Sequence, residues 1–184
     1  MFEIKESQLK GCYVLQPKAF DDARGRFVKV FHESAFEELG LETVFVEDYY
    51  SVSYQNVIRG LHFQLPPMDH TKMVYCVEGE VLDAVVDLRV GSPTYGQFEL
   101  FELTAANANI IYIPKGMAHG FCVKSQQAKL VYKVSTVYSP ECDSGIRWSS
   151  VGIPWLTDNP IVSIRDENFP NLNELLSPFR YEKI

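Results

Sequence analysis

The 184-residue chain has no CxxC pair, no run of basic residues, no apolar stretch of membrane-spanning length and no internal repeat or low-complexity tract. Each absence closes off a class. Four cysteines, Cys12, Cys76, Cys122 and Cys142, stand singly, which argues against a cysteine-ligated zinc site. Cys76 and Cys122 lie inside apolar runs and read as buried thiols. A formal net charge of -7 without a basic run counts against nucleic acid as a partner, yet leaves room for a local pocket that takes one anion. The N-terminal Met1-Phe2-Glu3-Ile4-Lys5-Glu6 carries no signal-peptide core, so no membrane partner is expected and a cytoplasmic location is the default. What is present is 46% hydrophobic and 22% charged residues, enough to bury a real core in a soluble chain, read as one domain over 1–184.

The pattern is nearly all β. Gly11 to Gln16 reads as a first short strand, Phe20 to Arg26 as turn chemistry, and Phe27 to Phe31 as an alternating, half-buried strand. Ser34-Ala35-Phe36-Glu37 resembles a capping box, which predicts a short helix over Ser34 to Leu39, ended by Gly40. Val44–Tyr54, Val57–Gln64, Lys72–Val77, Val81–Leu88, Gln97–Leu103, Asn109–Ile113, Ala118–Val123 and Lys129–Tyr138 are rich in β-branched and aromatic residues and are separated by Gly and Pro turns. Short strands about ten residues apart argue for a sandwich or closed barrel. After Trp148, prolines at 154, 160, 170 and 178 predict a tail of loops and short helical turns, packed by Trp155, Phe169 and Phe179.

One stretch concentrates the chemistry. Arg59-Gly60-Leu61-His62-Phe63-Gln64, with Lys72 soon after, places two cations and a histidine close together. Strict strand alternation would point Arg59 and Leu61 one way and Gly60, His62 and Gln64 the other. An imidazole titrates near neutrality and suits a general base, although a lone histidine on a strand is more often structural.

Several ordered motifs resemble a single family, the dTDP-4-dehydrorhamnose 3,5-epimerases. They are Arg59 to Pro67 with Lys72, Asp87-Leu88-Arg89 with Ser92-Pro93-Thr94-Tyr95-Gly96, and Ile113-Pro114-Lys115-Gly116-Met117-Ala118-His119-Gly120-Phe121. Arg24-Gly25 with Phe27, Tyr132-Lys133, Tyr138 and Gly145-Ile146-Arg147-Trp148 extend the match over roughly residues 10 to 170. The resemblance implies an all-β, cupin-type double-stranded β-helix (a jelly-roll barrel) with a short N-terminal helix, assembled as a homodimer and using no metal or organic cofactor. The implied substrate is a nucleoside-diphosphate 4-keto-6-deoxy sugar, inverted at C3, C5 or both, as in dTDP-4-dehydro-6-deoxy-D-glucose giving dTDP-4-dehydro-L-rhamnose.

Epimerisation beside a ketone needs a base at one face, an acid at the other and a positive or hydrogen-bonding group at the enolate oxygen. The resemblance assigns His62 as base, Asp166 as its partner, Lys72 as the enolate stabiliser and Tyr132 as the acid that returns the proton. Without it, Asp166 reads as a helix cap and Tyr132 as a packed strand aromatic. Tyr138, on the same strand face as Tyr132 if that strand is regular, is implied to stack on the base, and His119 to bind substrate. Arg24 and Arg59 are natural diphosphate ligands because guanidinium forks match phosphate oxygens. Asp143 and Arg165 fall at positions that the family uses around the substrate.

Two other readings stand beside this one. Pro114-x-Gly116-x-x-His119 satisfies most of the second motif of metal-dependent cupins, but the first fails: Lys72 occupies the slot of the carboxylate ligand, and a cation there repels a divalent ion. A non-catalytic sugar-binding barrel is the third possibility. Within the resemblance, Lys29, Glu47 and Tyr49 replace the family's usual glutamate, glutamine and asparagine around the nucleotide. An ionised glutamate only accepts hydrogen bonds, which favours a base with an N–H, such as cytosine. A CDP- or other nucleotide-linked epimerase, acting at a single carbon, is therefore the variant expectation. The simpler alternative is that Lys29 and Glu47 pair with each other and dTDP still binds.

Overall fold

The computed structural model describes residues 2–182. In chain order the elements are β1 (Phe2–Glu6), β2 (Tyr13–Pro17), β3 (Ala19–Asp22), β4 (Gly25–Val28), α1 (Glu33–Glu38), β5 (Glu47–Tyr54), β6 (Ile58–Gln64) and β7 (Lys72–Glu78). They continue with β8 (Glu80–Asp87), β9 (Phe98–Thr104), β10 (Ile110–Ile113), β11 (Met117–Val123), β12 (Gln127–Val134), β13 (Asp143–Gly145), α2 (Ile164–Glu167) and a 3-10 turn at Leu172–Glu174. A six-stranded sheet in the order β1-β2-β10-β7-β12-β5 faces a five-stranded sheet in the order β13-β6-β11-β8-β9, and β3-β4 forms a separate hairpin. Every ladder is antiparallel, and the chain from β7 onward crosses between sheets, the jelly-roll arrangement that the resemblance implies.

The inner core lies between the sheets. Val74, Cys76, Ile111 and Leu130 from one meet Val81, Val85, Phe121 and Val123 from the other, all buried. Both sheets are also covered outside. Phe36 of α1 packs with Leu15, Met73 and Ile110 on the six-stranded sheet, while Ile146, Ile153 and Phe179 lie with Leu61, Ala84 and Val86 on the five-stranded one. Burial on both faces is why β8 reads as a nearly continuous apolar run, whereas β12, inner face buried and outer face half-exposed, alternates. Cys76 and Cys122 are buried free thiols, as their apolar runs predict.

The structure revises several local expectations. Phe2–Glu6 forms an edge strand that its sequence hides, because almost every side chain in it is exposed and the ladder to β2 holds it. Phe20 to Arg26 is mostly the two arms of the β3–β4 hairpin rather than turn. The helix begins at Glu33 with His32 as its N-cap and no side-chain cap bond, so Ser34 sits inside the first turn and the capping box is not made. The strand expected over Lys129–Tyr138 ends at Val134, where the Ser135 N–H turns to the Thr71 carbonyl, and Tyr138 stands on the following loop. Among the described residues no helix is long and apolar enough to cross a membrane.

Candidate active site

A cavity of about 370 Å³ opens between the two sheets, within the range of small-molecule sites. From the six-stranded sheet come Glu47, Tyr49 and Ser51, alternate residues of β5, with Lys72 of β7 and Tyr132 of β12. Facing them are Arg59 and His62 of β6 and His119 of β11, with Asp143 of β13, Arg165 of α2 and Tyr138 from its loop.

Strict alternation on β6 is broken, and the break builds the site. His62 pairs with His119, but Arg59 pairs with Phe121, so β6 takes three steps where β11 takes two. This bulge turns Arg59 and His62 into the same cavity, against the expectation that they point to opposite sides. Gly60 makes the bulge possible: its φ is +134°, and a Cβ there would lie 2.6 Å from Gly120 Cα.

Behind His62 lies Asp166, itself buried on α2, whose N-cap Ser163 accepts the Asp166 N–H at 3.1 Å. The carboxylate oxygen Oδ1 lies 2.9 Å from His62 Nε2, and Oδ2 accepts the Gly60 N–H at 3.1 Å. Burial alone would raise the Asp166 pKa, but hydrogen bonds from His62, Gly60 and Arg165 hold it well below the usual carboxylate range. The histidine is moved down from its ordinary value by burial, with Arg165 and Lys72 adding and Asp166 opposing, so at neutral pH it is the unprotonated base form. Arg165 spans this corner: Nε to Asp166 Oδ1 at 3.1 Å, one terminal nitrogen to Asp143 at 2.6 Å and the other 2.8 Å from His62 Nε2.

On the opposite wall, Tyr132 is buried, stacks on Tyr49 at 4.8 Å between centroids and shares a 3.0 Å hydrogen bond with Ser51. Burial raises its pKa, as do Tyr49 and Asp83, and keeps the phenol protonated. Burial likewise brings Lys72 down to about 8, against the pull of Asp83 and Asp143. Among the described residues Arg59 is bonded only to neutral oxygens, Ser53 Oγ at 2.8 Å and the Val52 carbonyl at 3.4 Å, so its charge is left for a ligand.

Thus His62, Lys72, Tyr132, Arg59, His119, Glu47, Tyr49, Tyr138, Asp143 and Arg165 converge, with Asp166 one layer behind. Arg24 and Lys29 do not border this cavity. Arg24 sits at the exposed hairpin tip, paired with Asp22 at 2.6 Å, and Lys29 lies exposed just after β4. Nor do Lys29 and Glu47 pair: the Glu47 carboxylate accepts the Tyr138 N–H at 2.7 Å. Sequence reasoning missed Asp83, which is fully buried and bonds His119 Nε2 at 2.7 Å. Its signal was an acid among apolar residues in Val81–Leu88. With His119 held by Asp83, no three His, Cys, Asp or Glu side chains among the described residues converge as a metal site.

Residues 6–174 match the family model described as dTDP-4-dehydrorhamnose 3,5-epimerase. The chain belongs to that family. The epimerase is 43% identical over 168 residues to the dTDP-4-dehydrorhamnose 3,5-epimerase of Shigella flexneri, covering 90% of this chain and 93% of that one. Its structure is similar, with a TM-score of 0.95 and 35% identity over 100% of both chains, to a dTDP-6-deoxy-D-glucose-3,5-epimerase from Legionella pneumophila in complex with dTDP-4-keto-L-rhamnose. A 3'-monoepimerase from Streptomyces bikiniensis in complex with dTDP-quinovose is also similar, with a TM-score of 0.86 and 32% identity over 91% of this chain and 86% of that one. The fold is therefore the cupin-type jelly roll of these epimerases, and the protein is a sugar-nucleotide epimerase, an isomerase.

Proposed function

We propose that this epimerase inverts C3, C5 or both of dTDP-4-dehydro-6-deoxy-D-glucose, giving dTDP-4-dehydro-L-rhamnose when both are inverted. The observation that carries the mechanism is the His62–Asp166 pair on one wall of a cavity whose other wall presents a protonated Tyr132. His62 takes the proton from the carbon beside the ketone, and the C–H electron pair forms the C=C bond of the enolate while the carbonyl π pair moves onto oxygen. Lys72 as ammonium stabilises the enolate, and Tyr132 delivers its phenolic proton to the opposite face of the same carbon. Imidazolium and phenolate then return to their starting states by exchange with solvent. No electrons are gained or lost, so the reaction calls on no redox cofactor.

Arg59 binds the diphosphate, Tyr138 stacks on the base, and His119, Asp143 and Arg165 hold the sugar end. Arg24 and Lys29 reach substrate only through a second copy, and this is the role we give the homodimer. In support, the β3–β4 hairpin presents Phe20, Phe27 and the Arg24 side chain to solvent, and Tyr50, Val52 and Tyr54 of β5 are exposed with Val77 of β7.

The test is solvent exchange. Incubating the 4-keto sugar nucleotide with enzyme in deuterated water places deuterium at C3, C5 or both, read by NMR; no uptake at either carbon overturns the proposal. One observation favours a second reading of the nucleotide. Glu47 brings an acceptor-only carboxylate to the cavity wall, and only Oε2 is engaged by the Tyr138 N–H among the described residues. Calorimetry with dTDP, CDP, UDP and GDP decides: tighter dTDP binding supports thymidine, and equal or tighter CDP binding transfers the assignment to cytidine.

A further inference from the structure

His70 plays no part in the mechanism above, yet it borders both the substrate cavity and a smaller one of about 10 Å³ that also touches Lys72, Gly116 and His119. Its Nε2 is buried without a hydrogen-bond partner among the described residues, while Nδ1 lies 3.2 Å from both Thr136 Oγ1 and Gln64 Nε2. The surrounding network assigns the tautomer. Thr136 donates to the Met68 carbonyl at 2.7 Å, and the two Gln64 amide hydrogens go to the carbonyls of Met68 at 2.8 Å and Val137 at 3.2 Å. Nδ1–H then donates to Thr136 Oγ1, and Nε2 is left as a bare lone pair. The other tautomer would take the Gln64 hydrogen away from the Val137 carbonyl and leave Thr136 Oγ1 without this donor. A buried acceptor of this kind needs a donor, and Lys72, two residues on, carries three N–H groups with no protein acceptor within hydrogen-bond distance among the described residues.

We propose that His70 is a positioning residue for Lys72: one water in the small cavity donates to His70 Nε2 and accepts from the Lys72 ammonium, aiming the remaining N–H groups at the enolate oxygen. The cavity has room for about one water, and the site supplies polar partners for it. Burial, with Lys72 and Lys115 nearby, pushes His70 down to about 3, so it stays an uncharged acceptor wherever the enzyme works. Among the described residues the charged and titratable groups that act on Lys72 are Asp83 on β8, Asp143 on β13 and His62 on β6, with Lys115 acting on His70 from the β10–β11 turn. This inference rests on the role proposed above for Lys72 and adds what holds that lysine in place.

The test compares wild type, His70→Leu, His70→Gln and Lys72→Met by the rate and pH profile of deuterium uptake. His70→Leu is expected to lower kcat about tenfold at unchanged KM, the loss of one hydrogen bond to a charged group. Its basic limb, set by Lys72 near 8, moves to lower pH because the ammonium has lost a partner. His70→Gln, whose amide oxygen accepts, restores most of kcat and returns the limb. Wild-type kcat and limb in His70→Leu, or equal impairment of the Leu and Gln variants, overturn the proposal while leaving the epimerase mechanism standing. Full exchange in Lys72→Met instead removes the lysine's role, and the inference with it. Nitrogen NMR of the wild-type ring gives an independent reading, and a protonated Nε2 overturns the assignment even if a variant fails to fold.

Discussion

Replacing Asp166 by asparagine keeps the shape of the side chain and removes its charge at a buried position 2.9 Å from His62 Nε2. In the proposed mechanism His62 takes the substrate proton and becomes an imidazolium, and the wild-type carboxylate meets that charge with a charge-assisted hydrogen bond. Such bonds are worth about 1.5–3 kcal/mol, so Asp166→Asn should slow deuterium uptake roughly ten- to a hundredfold. KM should move little, because Asp166 lies behind the histidine and Arg165 keeps its 2.6 Å bond to Asp143. The pH profile has a definite sign. Asp166 raises the His62 pKa against burial, so its loss lowers that pKa and moves the acidic limb of the rate profile to lower pH. Stability gives a second sign. Folding holds the Asp166 pKa below the ordinary 3.8, so its contribution is fully present above 3.8 and is lost as pH falls toward the folded value. The variant should therefore be less stable than wild type at neutral pH, with the gap closing in acid. An unchanged exchange rate, or an acidic limb displaced upward, would refute the role given to this pair.

Tyr132→Phe should impair inversion more than washout of the substrate hydrogen, because the base remains and only the returning acid is gone; equal loss of both argues against the tyrosine as acid. For Gly60→Ala, a positive φ and a Cβ 2.6 Å from Gly120 Cα predict a loss of about 2–3 kcal/mol and a melting temperature lower by several degrees, while a variant as stable as wild type would show that the bulge can relax. Arg24→Ala should raise KM for the sugar nucleotide with stability unchanged, since Arg24 is exposed and, among the described residues, bonded only within its own hairpin; an unchanged KM would remove the hairpin from the substrate site.

Much of the site was legible because its parts are local. The strand around His62 and the turn before His119 are short-range patterns, readable from residue type and spacing. Asp166 was legible only by resemblance, since nothing in Val162 to Asp166 says that this acid turns back to a histidine 104 positions earlier. Arg59 was read as a phosphate ligand but placed on the wrong face, because a bulge depends on the neighbouring strand. Asp83 carried a weak signal and His70 none, and only the partners that the fold brings beside them, His119 on the neighbouring strand and Thr136 on the loop after β12, give them meaning.

Taken alone, then, the sequence determined the strand-rich architecture and the grouping of Arg59, His62 and Lys72 within one stretch, while the roles of base and acid entered only through the resemblance. The first two follow from side-chain chemistry and the two-residue period of strands, which every short segment carries within itself. The tertiary structure decided which of those groups meet. It turned Arg59 to the side of His62 through the three-for-two register against β11, set Asp166 behind His62 and kept Arg24 out of its own chain's cavity. Those outcomes depend on the register and crossing of strands far apart in the chain, which no local pattern encodes.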